Sequence, residues 1–350
     1  MASDYLSRVP DPVFVQIFQH LNADELLKSR LFSKRIHRRV LSNIAYLTRP
    51  SLGYLSIQMK QSRKRSKNNE IKRLLQIEMR KNARRPSKFF ELHVNETDCN
   101  ILNFVRDHIS QFKLTNSLIF SGCNVNSSFL QLFLHSTTDL SSVKHLAFEM
   151  CKLSATEFEL LEFIKRTACS RLIIEFCADS TASILSNKFL QHLKRLESLR
   201  VQVQSPLDCT NIGDEVLEKW CKQEMSPSTI DLTNVPVQFT VDGVLKAIRA
   251  LQNASKHNNT DIVWNLGRCQ WTVLELFVRL QQESRHQQNY YSLHLEHLHN
   301  KRIGIKINFK QQNSVAFKSP LNALESFVYS SFSTTKSLNR CELFINLPST

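Results

Sequence analysis

Two different spacings of apolar side chains run along this chain, and the change from one to the other divides it. Phe14, Ile17, Phe18 and Leu21 stand at i, i+3, i+4 and i+7, which places them on one stripe of a helix, and that stripe is expected to be buried. Asp11 before Pro12 predicts an N-cap and a first-turn proline, because the carboxylate accepts an orphan N–H and proline has none to lose. A second helix is predicted after Asn22, with Glu25 able to reach back to the cap N–H as in a capping box. Leu26, Leu27 and Leu31 supply its apolar side. Ser33 predicts a third cap, opening a helix through Ile36 and Val40 whose other face carries Lys34, Arg35, Arg38 and Arg39. Three helices in about forty residues carry more apolar side chains than so small a unit buries alone, so a partner is expected.

From Leu92 the spacing shortens to two and a pattern recurs. Leu118, Phe120 and Cys123 are matched by Leu146, Phe148 and Cys151, and again by Leu172, Ile174 and Cys177. Looser copies begin at Leu92, with Val94 and Thr97, at Leu199, with Val201, and at Ile230, with Leu232 and Val235. The leading residues are 26, 28, 26, 27 and 31 apart, and a period in this range is the signature of a solenoid. Each unit reads as a short strand, a turn and a helix, such as Thr156 to Arg166 with Phe158, Leu161 and Ile164 on its apolar side. Beyond Val235 helices are predicted at Gly243 to Leu251 and Trp271 to Leu280. Strands are predicted at Ile262 to Trp264, Leu293 to Leu298, Ile303 to Phe309 and Leu343 to Leu347. Irregular closing repeats and a different cap both fit that region.

Between the two regimes lies most of the positive charge. The chain has a formal charge of +15, and residues 60–88 hold twelve cations against Glu70 and Glu78, a local balance of +10. Ile71, Leu74, Leu75, Ile77 and Met79 suggest a short helix there between two basic clusters, ended by Pro86. Three readings compete. The stretch is a solvated connector, or Arg63, Lys64, Arg65 and Lys67 form a nuclear import signal, or the cations contact phosphates of nucleic acid. The last is the weakest, because no aromatics are interleaved with the charges and no nucleic-acid-binding motif accompanies them.

With 350 residues and 42% hydrophobic content the chain is expected to be globular, with one large or two moderate domains. Only 6 glycines and no glycine-rich phosphate loop argue against nucleotide-binding folds. Asp4, Arg8 and Asp11 interrupt the first twenty residues, so no signal peptide is expected, and no run of 18 apolar residues predicts a membrane span. The nine cysteines are scattered without a C-x-x-C pair and are expected to be reduced, buried thiols. His286, His294, His297 and His299 form the densest histidine group, but residues three apart on a strand face opposite ways and no cysteine completes a metal site. No nucleophile motif or carboxylate pair stands out. No active site, metal or cofactor is therefore expected.

The run from Val9 through Leu21, then Asp24 to Leu27, then Leu31 to Arg35, resembles an F-box. Pro10, acidic Asp11, a helix ending in Ile17, Phe18 and Leu21, a leucine-rich second helix, and Ser33-Lys34 stand in the family's order. Val9 replaces the usual leucine, Phe32 a smaller apolar residue and Ile36 a tryptophan; all three remain apolar. The resemblance implies docking onto a Skp-type adaptor of a cullin ubiquitin ligase. Pro10, Val13, Phe14, Ile17 and Phe18, followed by Leu21, Leu26, Leu27 and Leu31, are the implied adaptor-binding residues.

The cysteine-bearing units in turn resemble leucine-rich repeats of the cysteine-containing kind, common behind F-boxes, and the combination is similar to the divergent F-box families of nematodes. The implied fold is an α+β or α/β solenoid. It would comprise a three-helix F-box module at residues 1–48, a basic, partly helical linker at 49–90 and a leucine-rich-repeat-like horseshoe of short parallel strands and helices at 91–350. In such a fold the cysteines cap the apolar stack. Asn95, Ser121, Glu149, Glu175 and Gln202 would line up about 5 Å apart, as a polar, mildly acidic ladder expected to bind a protein substrate. The resemblance thus implies a non-catalytic substrate receptor, cytoplasmic or nuclear, acting by proximity. Two alternatives remain: a scaffold that binds the adaptor without a cullin, and a basic repeat protein that contacts nucleic acid through residues 60–88.

Overall fold

The computed structural model describes residues 5–61, 73–81, 87–94, 105, 109–110, 112–134, 139–178, 185–193, 195–202, 211–222, 226–255, 262–271, 273–286, 291–298, 302–309 and 340–346. The chain is of the mixed α/β class and separates into two compact units, Met1–Ile184 and Leu185–Thr350.

The first unit opens with three short helices, α1 (Asp11–Gln19), α2 (Ala23–Ser29) and α3 (Lys34–Ser42). The capping box at the head of α2 is formed: Asn22 Oδ1 accepts from the N–H groups of Asp24 and Glu25 at 3.0 Å, and Glu25 Oε2 accepts from the Asn22 N–H at 2.9 Å. Ser33 Oγ likewise caps α3 by accepting from the Ile36 N–H at 3.1 Å. Asp11 does not cap α1. The helix starts at Asp11 itself, with Pro10 in the cap position and no side-chain cap. The Asp11 carboxylate is taken by Arg39, whose Nε and Nη2 donate to Oδ1 at 2.9 and 2.5 Å. Arg39 is brought there by packing, since its guanidinium lies 4.3 Å over the centre of the Phe14 ring, and a charged donor outcompetes a backbone N–H. Phe14 and Phe18 stack at 4.0 Å and form a small core with Leu26, Ile36, Val40, Ile44 and Leu47. Removing the Asn22 cap should cost about 1 kcal/mol. Asn22→Ala is expected to speed amide exchange across α2 about fivefold while leaving the sheet below unchanged.

Six strands of this unit pair side by side in it: β1 (Ser51–Gln61), β2 (Arg73–Arg80), β3 (Lys88–Val94), β4 (Lys113–Ser121), β6 (His145–Glu149) and β8 (Arg171–Glu175). They are ordered β8-β6-β4-β1-β2-β3. β1, β4, β6 and β8 run parallel, while β2 and β3 extend the sheet antiparallel from β1. Helices α4 (Ser127–Leu134) and α5 (Glu157–Lys165) follow β4 and β6, each after a short strand, β5 (Asn124–Val125) and β7 (Lys152–Leu153). Leu118, Phe120, Leu146, Phe148, Leu172 and Ile174 alternate onto one face and are at most 1% exposed. Phe120 meets Phe129 and Phe133 of α4 edge-on at 5.1 and 5.4 Å, and stacks on Phe148 at 5.4 Å.

Three expectations are corrected here. Residues 49–90 are not a partly helical linker: the described part supplies β1, β2 and the start of β3. Leu75, Ile77 and Met79 are buried at every second position of β2, an alternation that the adjacent Leu74 disguised. Arg80 of this basic stretch is spent on Glu78, to which its Nε donates at 2.9 Å, and Ser87 Oγ donates to the same carboxylate at 2.6 Å. Next, the looser copy at Leu92 is no parallel unit, because β3 pairs with β2, antiparallel; the strand that continues the parallel set is β1. Finally, Phe158 of α5 is 69% exposed, and Leu160, Leu161, Phe163 and Ile164 form the buried side instead.

The second unit also has six strands paired side by side. Its strands are β9 (Ser198–Gln202), β10 (Thr229–Asp231), β11 (Ile262–Asn265), β12 (Tyr291–Leu298), β13 (Arg302–Phe309) and β14 (Arg340–Asn346), ordered β12-β13-β14-β11-β10-β9. β9, β10, β11 and β14 are parallel, and β13 and β12 extend the sheet antiparallel. Helices α6 (Asn187–His192), α7 (Asp214–Lys222), α8 (Val241–Ser255) and α9 (Val273–His286) alternate with the strands. Trp220 of α7 packs edge-on against Trp264 of β11 at 5.8 Å, and the Trp264 indole N–H donates to the Pro227 carbonyl at 2.8 Å. Among the described residues no helix is long and apolar enough to cross a membrane.

Candidate functional site

The nine residues expected to meet an adaptor divide sharply by exposure. Phe14, Phe18 and Leu26 belong to the core of the helical module and present nothing outward. The stripe expected to be buried is thus split: Ile17 is 43% exposed, as is Val13, four residues before it on α1 and outside that stripe. Pro10 is also exposed and Leu21 half-buried. Leu27 lies in α2. Leu31 is 84% exposed, and its neighbour Phe32, which the sequence reading marked only as a departure from the family pattern, is 70% exposed. Both occupy the turn after α2, where the N–H groups of Leu31 and Phe32 donate to the carbonyls of Lys28 and Ser29 at 3.0 and 3.1 Å. Two adjacent residues in a turn share no helical stripe, so periodicity had no means of locating the second. Beyond this turn the outer side of α3 carries exposed Lys34, Arg35 and Arg38, and burial followed by the charge of Arg30 lowers the pKa of His37.

A second surface is built by repetition in the sheet of the first unit. At the end of β4, β6 and β8 the chain turns through a left-handed residue, Gly122 (φ 65°), Met150 (φ 51°) and Phe176 (φ 53°). The Gly122 N–H donates to the Glu149 carbonyl at 2.9 Å and the Met150 N–H to the Glu175 carbonyl at 2.7 Å, so each turn is tied to the next strand. The following cysteine goes inward. The thiols of Cys123, Cys151 and Cys177 each reach the preceding strand, donating to the carbonyls of Ile57, Phe120 and Phe148 at 3.4 Å. Contact with the Cys123 thiol pushes Cys151 up to about 12, and contact with Cys151 together with burial pushes Cys177 up as well. These two thiols stay protonated at neutral pH and serve packing, not nucleophilic chemistry.

The face of this sheet opposite the phenylalanines is graded along the strands. Tyr54, Ser117, His145 and Arg171 form one row, Ser56, Ile119, Ala147 and Ile173 the next, and Gln58, Ser121, Glu149 and Glu175 the last. Three of the five ladder residues are thereby located. Ser121, Glu149 and Glu175 are in register as expected, but Gln58 of β1 stands where Asn95 was expected, and Asn95 lies outside the described residues. Gln202 belongs to the second unit, where its side-chain amide donates to Asp231 Oδ2 at 3.3 Å. Burial, reinforced by the charge of Glu175, raises the pKa of Glu149.

Arg63, Lys64, Arg65 and Lys67 lie outside the described residues, as does His299. His286 ends α9, and His294 and His297 lie in β12. Among the described residues no group of three or more histidine, cysteine, aspartate or glutamate side chains is placed to hold a metal ion. Comparison of the chain with protein-family models, with curated proteins and with solved structures finds no match.

Proposed function

We propose that this protein is a substrate receptor of a cullin-type ubiquitin ligase. Its N-terminal helices act as an F-box that docks a Skp-type adaptor, and its strand-and-helix units act as a leucine-rich-repeat-like solenoid that holds a protein substrate. The observation that carries the reading is the division within α1. One side gives Phe14 and Phe18 to the module's own core, while Val13 and Ile17 are each 43% exposed on the same helix. A surface helix with no further partner is expected to carry polar residues outside its buried stripe. Leu31 and Phe32 add a second exposed apolar pair, and all of this falls within the run that resembles the family.

No bond chemistry is asked of this chain. Tethering raises the effective concentration of substrate lysines near a conjugating enzyme carried by other subunits. The test is co-purification with a Skp-type adaptor, comparing the native chain with Val13→Asp/Ile17→Asp, followed by a blot for the cullin. Capture of adaptor and cullin by the native chain alone supports the receptor. Capture of adaptor without cullin makes the protein a scaffold, and loss of both in the native chain sinks the proposal.

A further inference from the structure

Between Glu25 and Glu70 the sequence has no acidic residue, while Lys28, Arg30, Lys34, Arg35, Arg38 and Arg39 follow one another closely. Arg39 turns to Asp11 and the Phe14 ring. Lys34, His37 and Arg38 stand at i, i+3 and i+4 of α3 and so share one side of it. With Arg30, Leu31 and Ser33 from the end of α2 and the turn that follows, they line a recess of about 380 Å³. None of these six residues is acidic. Like charges at i and i+4, as Lys34 and Arg38 are, cost helix stability, and among the described residues neither is held in an ion pair.

The other polar groups of the recess are fixed by their own bonds. Ser33 Oγ accepts from the Ile36 N–H at 3.1 Å, and Arg30 Nε donates to His37 Nδ1 at 3.2 Å. An arginine N–H only donates, so Nδ1 offers its lone pair and the neutral ring carries its proton on Nε2. Burial and the charge of Arg30 favour that neutral form. The recess is thus lined by donors: a guanidinium, an ammonium and an imidazole N–H on one side of α3 and its approach.

A carboxylate would answer this charge only in part. A phosphate monoester brings close to two negative charges and three strong acceptor oxygens, and guanidinium groups match its geometry. The recess has room for a side chain as well as its phosphate. A free phosphate would also leave the apolar wall uncovered, since Leu31 is 84% exposed and the adjacent Phe32 70%.

We propose that this recess binds a phosphorylated serine or threonine side chain of a partner protein, its phosphate against Arg30, Lys34, His37 and Arg38 and an apolar neighbouring residue against Leu31 and Phe32. The site needs neither adaptor nor cullin and so goes beyond the receptor reading.

The test uses the purified full-length chain and fluorescein-labelled peptides in which leucines flank a central phosphoserine, serine or glutamate. The phosphoserine peptide is expected to bind at least tenfold more tightly than the other two, and inorganic phosphate to displace it far less readily than the unlabelled phosphopeptide does. Lys34→Gln/Arg38→Gln should weaken the phosphopeptide by about tenfold with Tm unchanged or slightly raised, because a like-charge pair is removed. Arg35→Gln, on the same helix but outside the recess, should change binding less than twofold. An equal loss with Arg35→Gln, equal binding of the glutamate peptide, or displacement by inorganic phosphate at matched concentration would each overturn the proposal. So would tighter binding to vesicles containing phosphatidylserine, or to single-stranded DNA, than to the phosphopeptide. Val13→Asp/Ile17→Asp should lose the adaptor and keep the phosphopeptide. A native chain that binds the phosphopeptide but captures no adaptor loses the receptor reading and keeps the recess, and one that captures the adaptor but ignores the phosphopeptide loses the recess alone.

Discussion

Ile17→Asp is expected to abolish adaptor co-purification without unfolding the protein, and Phe18→Ala, one residue later, to unfold the helices themselves. Ile17 is 43% exposed, so an aspartate there remains solvated in the free chain, and only on docking does its charge lose water. Burying an unpaired carboxylate costs several kcal/mol, enough to erase most of the roughly 8 kcal/mol that holds a micromolar complex. Phe18 is 2% exposed and stacked on Phe14 at 4.0 Å. Its truncation should cost about 3–5 kcal/mol, comparable with everything so small a core supplies. Amide exchange over residues 11–42 reads the two outcomes apart, with the strands of the same unit as the internal reference. Intact binding by Ile17→Asp would show that the exposed side of α1 is not the docking surface.

The largest loss of stability from a single exposed position is expected at Gly122. It is left-handed, with φ 65°, and its missing Cβ would sit 2.5 Å from the Met59 carbonyl oxygen. That oxygen belongs to backbone that is fixed in β1, where Met59 pairs with Leu75 of β2. Gly122→Val combines the left-handed penalty of about 1–2 kcal/mol with a backbone clash, for a total of about 3 kcal/mol or more. In a unit of this size the loss corresponds to a fall in Tm of roughly 6–12 °C. Gly213→Ala is the control, because a Cβ there meets nothing closer than 3.7 Å and should be tolerated. Calorimetry of the two variants checks the contrast.

The two glycines also show what sequence reading reaches. The caps of α2 and α3 were legible, since Asn22, Glu25 and Ser33 act through bonds to residues two or three positions away. The parallel register of β4, β6 and β8 was legible because the same leucine, aromatic or isoleucine, and cysteine recur at each turn. Asp11 was misread because its partner, Arg39, is 28 positions away. β1 was missed because its place beside β4 is set by pairing and not by a shared motif: it carries Leu55 and Ile57 in register with Leu118 and Phe120 but no cysteine. Exposure within a stripe was also illegible, since a period of 3.6 says which side chains share a face and not how wide the covered part of that face is. Ile17 and Phe158 fell on that margin, and Met150 and Phe176 became visible only through φ.

The antiparallel hairpin at one side of the first sheet fixes the direction in which the parallel strands are laid down. β1 gives one edge to β2 and has only the other left for β4; β4 then offers its remaining edge to β6, and β6 to β8. Spatial order on that side is the order of synthesis, so a chain emerging from the ribosome completes each layer on a finished base before the next strand exists. At every stage of translation a single open edge is waiting on the growing side, and the segment that closes it is the next to appear, which shortens the time in which a stray strand could pair there.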